Sequence, residues 1–270
     1  MIDKKEHKTE QKNDIASIPQ YSVSKILLIW AAAAIPMGIL GWVVAPALAG
    51  ITQTPALVWL AVLTVGLVWQ FILVMILLYQ EAGNLRWSTI RSRLWLTTPR
   101  SPRTGTSRAR LWWWLVPLIL LTAIYELQLR GSVEHLWLLV FPFFTQPQGS
   151  DLSTLLATPQ AQAHLAGAWN VWGIFVLSAL FNTFLGEELL FRGLLLPRMA
   201  GVFGKGDWVI NGLLFGLYHL HQPTSILDSV IAGFLFAFPS RRFRSAWFGI
   251  VAHSGQSVYL ALLILALVLK

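Results

Sequence analysis

The sequence predicts an all-α, polytopic transmembrane helical bundle of about seven to eight spans, and three observations carry that expectation. The 270 residues are 56% hydrophobic and only 12% charged, against roughly 25% charged in an ordinary soluble domain. Apolar stretches approaching the roughly 20 residues that cross a bilayer core recur along the chain with short polar breaks between them. The Lys and Arg residues gather in those breaks, the pattern by which membrane proteins set their orientation.

Taken in order, residues 1–20 (MIDKKEHKTEQKNDIASIPQ) are polar and mixed in charge, unlike a secretory signal, and are expected to form a disordered cytoplasmic tail. Spans are expected near residues 24–48, 55–80, 110–128, 168–190, 207–221, 225–240 and 246–269, with loosely placed ends. Leu136 to Phe144 is apolar but too short to cross, which predicts a re-entrant or interfacial piece. The chain thus divides into the tail, a transmembrane helix pair over 21–83, a basic cytoplasmic linker over 84–110 and a larger membrane unit over 111–270. The Pro, Gly and Ser residues of Arg100–Arg110 (RSPRTGTSRAR) predict flexibility in the linker. Most of the 14 Trp fall near span ends, as interface anchors do.

With the tail inside, simple alternation of the spans puts every basic group on the cytoplasmic side. These groups are Lys4, Lys5, Lys8 and Lys12 in the tail, Arg86, Arg91, Arg93, Arg100, Arg103, Arg108 and Arg110 in the linker, and Arg192, Arg198, Lys205, Arg241, Arg242 and Arg244 later. The net charge of +8 therefore reads as a topology signal, and the expected surroundings are a lipid bilayer and no nucleic acid. The chain contains no Cys, which excludes disulfides and thiolate chemistry.

An ionisable group inside a span is costly and is a functional candidate by default. Glu81 and Glu126 fall near span ends, where a carboxylate reaches solvent. Glu187 and Glu188 are adjacent, follow the apolar run WGIFVLSALFNTFLG and precede Leu189, Leu190 and Phe191. Arg192 stands four residues after Glu188, the spacing of a helical Glu–Arg pair. Glu187, turned by roughly 100° from Glu188, is left free, and a buried free carboxylate suits a general base; the same residues also suit a structural ion pair between helices. His219 follows Phe215 by four residues in FGLYH, and His253 precedes Ser257 by four in HSGQS, so each pair shares a helical face. Gly212 and Gly216 form a GxxxG suited to close helix packing. His221 is expected at a span end, just before Pro223.

EExxxR (Glu187, Glu188, Arg192), FxxxH (Phe215, His219) and HxxxS (His253 to Ser257) resemble, in order and spacing, the motifs of the type II CAAX prenyl endopeptidase and bacteriocin-processing (CPBP) family. The motifs cover about residues 165–265, within the unit 111–270. The resemblance implies an intramembrane endopeptidase that cleaves a peptide or protein substrate in the membrane near the cytoplasmic face. In that reading Glu187 activates a water with help from His219. His253 and Ser257 polarise the scissile carbonyl and bind its oxyanion, while Glu188, Arg192 and Phe215 support them. One departure stands out: the last family motif usually ends in Asn or Asp, and Ser257 has the shorter reach; Gln256 is a substitute whose direction is open. No cofactor is expected, with zinc held by Glu187, His219 and His253 as the alternative; the chain has no HExxH. The expected location is a bacterial cell membrane, with the N-terminus cytoplasmic.

Straight counting leaves Glu187 near the cytoplasmic end of its span, His219 near the far end of the next and His253 between them. They meet only if the short spans tilt or the Glu helix sits deeper. Other readings are a non-catalytic scaffold or bacteriocin-immunity protein of the same fold, which Ser257 favours, and a transporter using the buried charges, against which the absence of an internal repeat counts.

Overall fold

The computed structural model describes residues 18–51, 54–146, 162–163 and 165–270, and the described residues are helical, with one isolated bridge between Arg100 and Ser107. The tail expectation falls mostly on residues 1–17, outside the described residues. The helices used below are α1 (Val23–Ala49), α2 (Pro55–Ala82), α3 (Trp87–Arg93), α4 (Ala109–Val140), α5 (Trp169–Arg198), α6 (Asp207–Tyr218), α7 (Ile226–Phe243) and α8 (Trp247–Val268). Punctuation in the sequence explains their ends. Ser22 caps α1 by accepting from the Lys25 amide at 3.3 Å. Pro55 opens α2, and Gly83 closes it in the left-handed region at φ 69°.

Six helices are long and apolar enough to cross a membrane, fewer than the seven to eight expected. The difference lies in 207–221, where α6 has 12 residues before tightening into 3₁₀ turns. That length is about 18 Å of helix, short of a bilayer core of roughly 30 Å. α6 instead forms a hairpin with α7, packed so closely that a Cβ on Gly212 or Gly216 would run into Phe234 or Val230. In Leu136–Phe144 the first half, to Val140, is the last turn of α4, and Phe141 and Phe144 fold back onto Trp137 with ring centroids at 4.4 and 5.5 Å.

One end of the bundle gathers the basic groups. Arg198, fully buried, pairs with Glu81 at 2.6 Å, and Tyr21 hydrogen-bonds the same carboxylate. Burial pushes the Tyr21 phenol up. Glu81 is therefore locked in an internal ion pair instead of reaching for solvent, as its span-end position had suggested. Arg241 pairs with Asp207 across the open end of the α6–α7 hairpin. The segment after α3 closes this end by main-chain bonds: the Ala246 amide donates to the Trp95 carbonyl at 2.9 Å and the Arg100 amide to the Phe243 carbonyl at 2.8 Å. Leu94 and Leu96 are buried in the main core, so this part of the basic segment, ahead of Arg100–Arg110, is packed against the bundle. The apolar triplet Leu94-Trp95-Leu96 explains it, because burying these side chains outweighs the local turn propensity.

Lipid-facing surface is apolar, with Leu28, Val43, Leu127 and Leu262 among its exposed side chains. Several Trp do more than anchor span ends. The indole N–H groups of Trp30, Trp69, Trp137 and Trp172 donate to backbone carbonyls of Leu214, Ala32, Pro223 and Ala261, stitching helix to helix at 2.8–3.1 Å.

Candidate active site

Depth along the helices decides which polar groups meet. Glu187 lies eleven residues before Arg198, and His219 lies twelve after Asp207, so each stands about 16–18 Å from the common basic end. The Glu helix is deeper than hydropathy suggested, because α5 continues past the apolar run to Arg198 and is buried from Gly186 to Met199. A cavity of about 270 Å³ brings Glu187, Phe215, His219, His253 and Ser257 together on its wall, with Gln256 and His221 beside them. His221, in the 3₁₀ turn that ends α6 as its place before Pro223 suggested, is also a buried wall residue, 4% exposed and stacked on His219 with ring centroids 5.5 Å apart.

α5 reaches this arrangement by two wide turns. Phe181–Leu185 and Leu189–Leu195 are π-helical and flank Gly186, whose amide donates to Phe181 O, five residues back, at 2.7 Å. A Cβ on Gly186 would stand 2.6 Å from Phe181 O and 2.8 Å from Leu67 O, so glycine is what lets α5 pass the backbone of α2 here. Glu187, 1% exposed, has Oε2 without a partner, and its carboxylate is hydrogen-bonded by Tyr218. Tyr218 in turn accepts from Gln70 Nε2 at 2.5 Å, which leaves its single hydroxyl hydrogen for Glu187. Gln70 belongs to α2, and Met37 of α1 with Leu63 and Leu67 of α2 line the same cavity, so the first helix pair is part of the site.

Glu188 and Arg192 form the predicted pair, Arg192 Nη1 donating to Glu188 Oε1 at 2.9 Å with both residues fully buried. The guanidinium also donates to Gly233 O at 3.2 Å and lies over the Phe215 ring at 4.1 Å, giving Phe215 a part in holding the cation. The same Glu188 Oε1 lies 3.1 Å from His253 Nδ1, a contact that sequence spacing did not reveal. The carboxylate accepts there, so Nδ1 carries the hydrogen and Nε2 is the free nitrogen. His219 is fixed in the same sense, with Nδ1 on the Phe215 carbonyl at 2.8 Å. A carbonyl only accepts, which leaves His219 Nε2 with a lone pair. Phe236 stacks on His253 at 5.0 Å and holds its ring plane.

Further along the cavity stand Glu126, Arg130 and Asp228. Arg130 is 3.1 Å from Glu126 and from Glu134 and 3.5 Å from Asp228, which also accepts from Tyr125 at 2.7 Å. Glu126 is thus a cavity residue in a network, beyond the interfacial role its position suggested. Asn182, on the first wide turn of α5, also faces the cavity, and the spacing of motif residues gave no hint of it. A lone amide within the apolar run GIFVLSALFNTFLG, like Gln70 within the second span, was the available signal.

As to a metal, among the described residues no group of three or more His, Asp or Glu is placed to hold an ion, and Glu187, His219 and His253 do not form such a group.

Residues 167–259 match the family model described as type II CAAX prenyl endopeptidase Rce1-like. The match spans the EExxxR, FxxxH and HxxxS residues and supports a protease of the CPBP kind. Together with the six apolar helices, it supports an integral membrane protein of CAAX-protease type in general. No curated protein and no solved structure matches the chain.

Proposed function

We propose that the protein is a metal-free, glutamate-dependent intramembrane endopeptidase. The observation that carries the proposal is Glu187, buried with its Oε2 unpartnered, on the wall of a cavity shared with two histidines whose Nδ1 atoms are both held. Water bound between Glu187 and the lone pair of His219 Nε2 loses a proton to Glu187 as its oxygen attacks the scissile carbonyl. His253, positioned by Glu188 through Nδ1, polarises the scissile carbonyl and helps bind its developing oxyanion, with Ser257 on the same helical face. Glu187 then passes its proton to the leaving amine, which balances the hydrolysis. Arg192 holds Glu188 in place and offsets its buried charge.

The sequence favoured a bond near the cytoplasmic face, whereas the depth of Glu187 favours one nearer the middle of the bilayer. The gathering of Tyr21, Glu81, Arg198, Asp207 and Arg241 at one end supports an N-terminus on the side that holds the basic residues, which is the cytoplasmic side by the charge rule. The cavity lies between the helices, with protein for its walls, the setting in which water is tolerated at membrane depth.

The test is cleavage of a set of detergent-solubilised membrane peptides by purified wild type and Glu187→Gln, each with and without a chelator. Cleavage by wild type alone, unaffected by the chelator, is expected. Cleavage surviving in Glu187→Gln removes glutamate catalysis, and chelator sensitivity removes the metal-free reading. No cleavage by a folded wild type replaces the proposal with a non-catalytic scaffold, the reading that Ser257 favours.

A further inference from the structure

We propose that Asn182 is a catalytic residue whose side-chain amide donates to the oxyanion, a donor that no sequence motif assigns; the proposal rests on the protease reading. Two contacts fix how α5 lies against α8. Trp172 Nε1 donates to Ala261 O at 3.1 Å, and Ser254 Oγ donates to Thr183 Oγ1 at 3.0 Å. The helices are therefore antiparallel, and Asn182 stands level with His253. Ser257 stands level with Ser178, one helical turn, about 5.4 Å, further from Glu187 along the wall.

The wide turn supplies the second part of the argument. In an α-helix, residues five apart point about 140° away from one another. Over Phe181–Leu185 the hydrogen bonds run from i to i+5, so residues five apart come onto one face. Asn182 and Glu187 are five apart, and both line the cavity. Asn182 is half-buried there, and its amide is not used to hold the fold: the neighbouring Thr183 makes the helix-to-helix contact and bonds Ala179 O at 2.9 Å.

A peptide carbonyl placed between the Glu187 water and His253 thus has the Asn182 amide at its own level. Ser257 meets it only across a full turn, with a shorter side chain. Gln256, the other amide on that face of α8, is exposed. The amide N–H₂ gives a neutral donor that does not compete with Glu187 for the proton. The oxyanion site then consists of His253 and Asn182 on opposite walls, set at one depth by the Thr183–Ser254 bond.

Four proteins measured on one cleaved peptide test this: wild type, Asn182→Ala, the isosteric Asn182→Asp and Asn182→Ala/Ser257→Asn. Loss of one oxyanion donor costs roughly 10² to 10³ in kcat, and that loss is expected in both single variants with KM within a few-fold. The double variant returns an amide to the facing wall and is expected to recover part of the loss. Asn182→Ala or Asn182→Asp, folded by thermal unfolding in detergent and within three-fold of wild-type kcat, overturns the proposal. A loss confined to KM also overturns it, by making Asn182 a substrate-binding residue only. If wild type cleaves nothing, the protease reading falls and this one with it, whereas an active wild type with an inactive Glu187→Gln isolates the result to Asn182.

Discussion

Gly249→Ala tests whether Glu188 must stand where it does. Gly249 lies on α8 one turn before His253, and the Glu188 carboxylate lies against its backbone. A Cβ there would sit inside 3.0 Å of Glu188 Oε2, where ordinary contact begins at 3.4 Å, so the carboxylate must retreat by at least about 0.4 Å. The contacting atom is the end of a side chain, yet it has little room to yield, because Glu188 Oε1 is tied at 2.9 Å to Arg192 and at 3.1 Å to His253. The shift passes to the His253 ring. Overpacking of this kind costs about 1–3 kcal/mol in stability, and a misplacement approaching 1 Å near the chemistry costs about 10² in rate. Peptide cleavage should fall by one to two decades, on the order of 1.4–2.7 kcal/mol in the barrier. Gly255→Ala is the control, since a Cβ there meets nothing within 4 Å; it should add about 0.5–1 kcal/mol of helix stability and leave cleavage unchanged. Wild-type kcat in Gly249→Ala, with the protein folded, would refute the claim that Glu188 positions His253.

Further expectations concern the shell around the site. Tyr218→Phe removes the hydroxyl on Glu187 and should lower kcat by about tenfold, a hydrogen bond of about 1.4 kcal/mol, with KM unchanged; Gln70→Leu should act in the same direction, and steady-state kinetics of both decide whether α2 contributes to catalysis. Glu81→Ala strands the fully buried Arg198 and should cost about 3–5 kcal/mol, read as a lowered unfolding midpoint in detergent. Gly216→Val drives a side chain into Val230 and forces α6 from α7; a loss of about 1–3 kcal/mol and a matching fall in folded yield are expected.

The apolar runs, the basic breaks and the three motifs were legible because each depends on local composition or on α-helical spacing. Glu188 with Arg192 is such a case, a four-residue pair that the structure bears out at 2.9 Å. What escaped depends on geometry that local spacing does not encode. Asn182 was invisible because α-helical counting turns it away from Glu187, and only the wide turn brings it back. The Glu188–His253 contact joins residues 65 apart, and Gln70 with Tyr218 joins residues 148 apart, so neither has a spacing to read. The span count was too high because hydropathy measures greasiness rather than length: 207–221 is apolar, yet its helix has 12 residues. Glu81 near a span end gave no sign of Arg198, its partner 117 residues away.

The segment that joins α3 to α4 has a consequence for how the chain can be divided. Its two flanks are bound to the same place: Trp95 and Arg100 make main-chain bonds to Ala246 and Phe243 on one side of the turn, and α4 continues into the bundle on the other. The turn itself, Pro102 to Thr106, is exposed. A cut between Thr104 and Gly105 is therefore expected to leave the bundle assembled, with Ser101 and Thr106 still bonded across it at 2.9 Å. A fragment ending in this turn would carry α1, α2 and the Leu94–Leu96 plug, and a fragment starting there would carry Glu187, His219 and His253. Expressed together in one membrane, the two should find each other through Arg198–Glu81 and Gln70–Tyr218 and rebuild the cavity from separate chains.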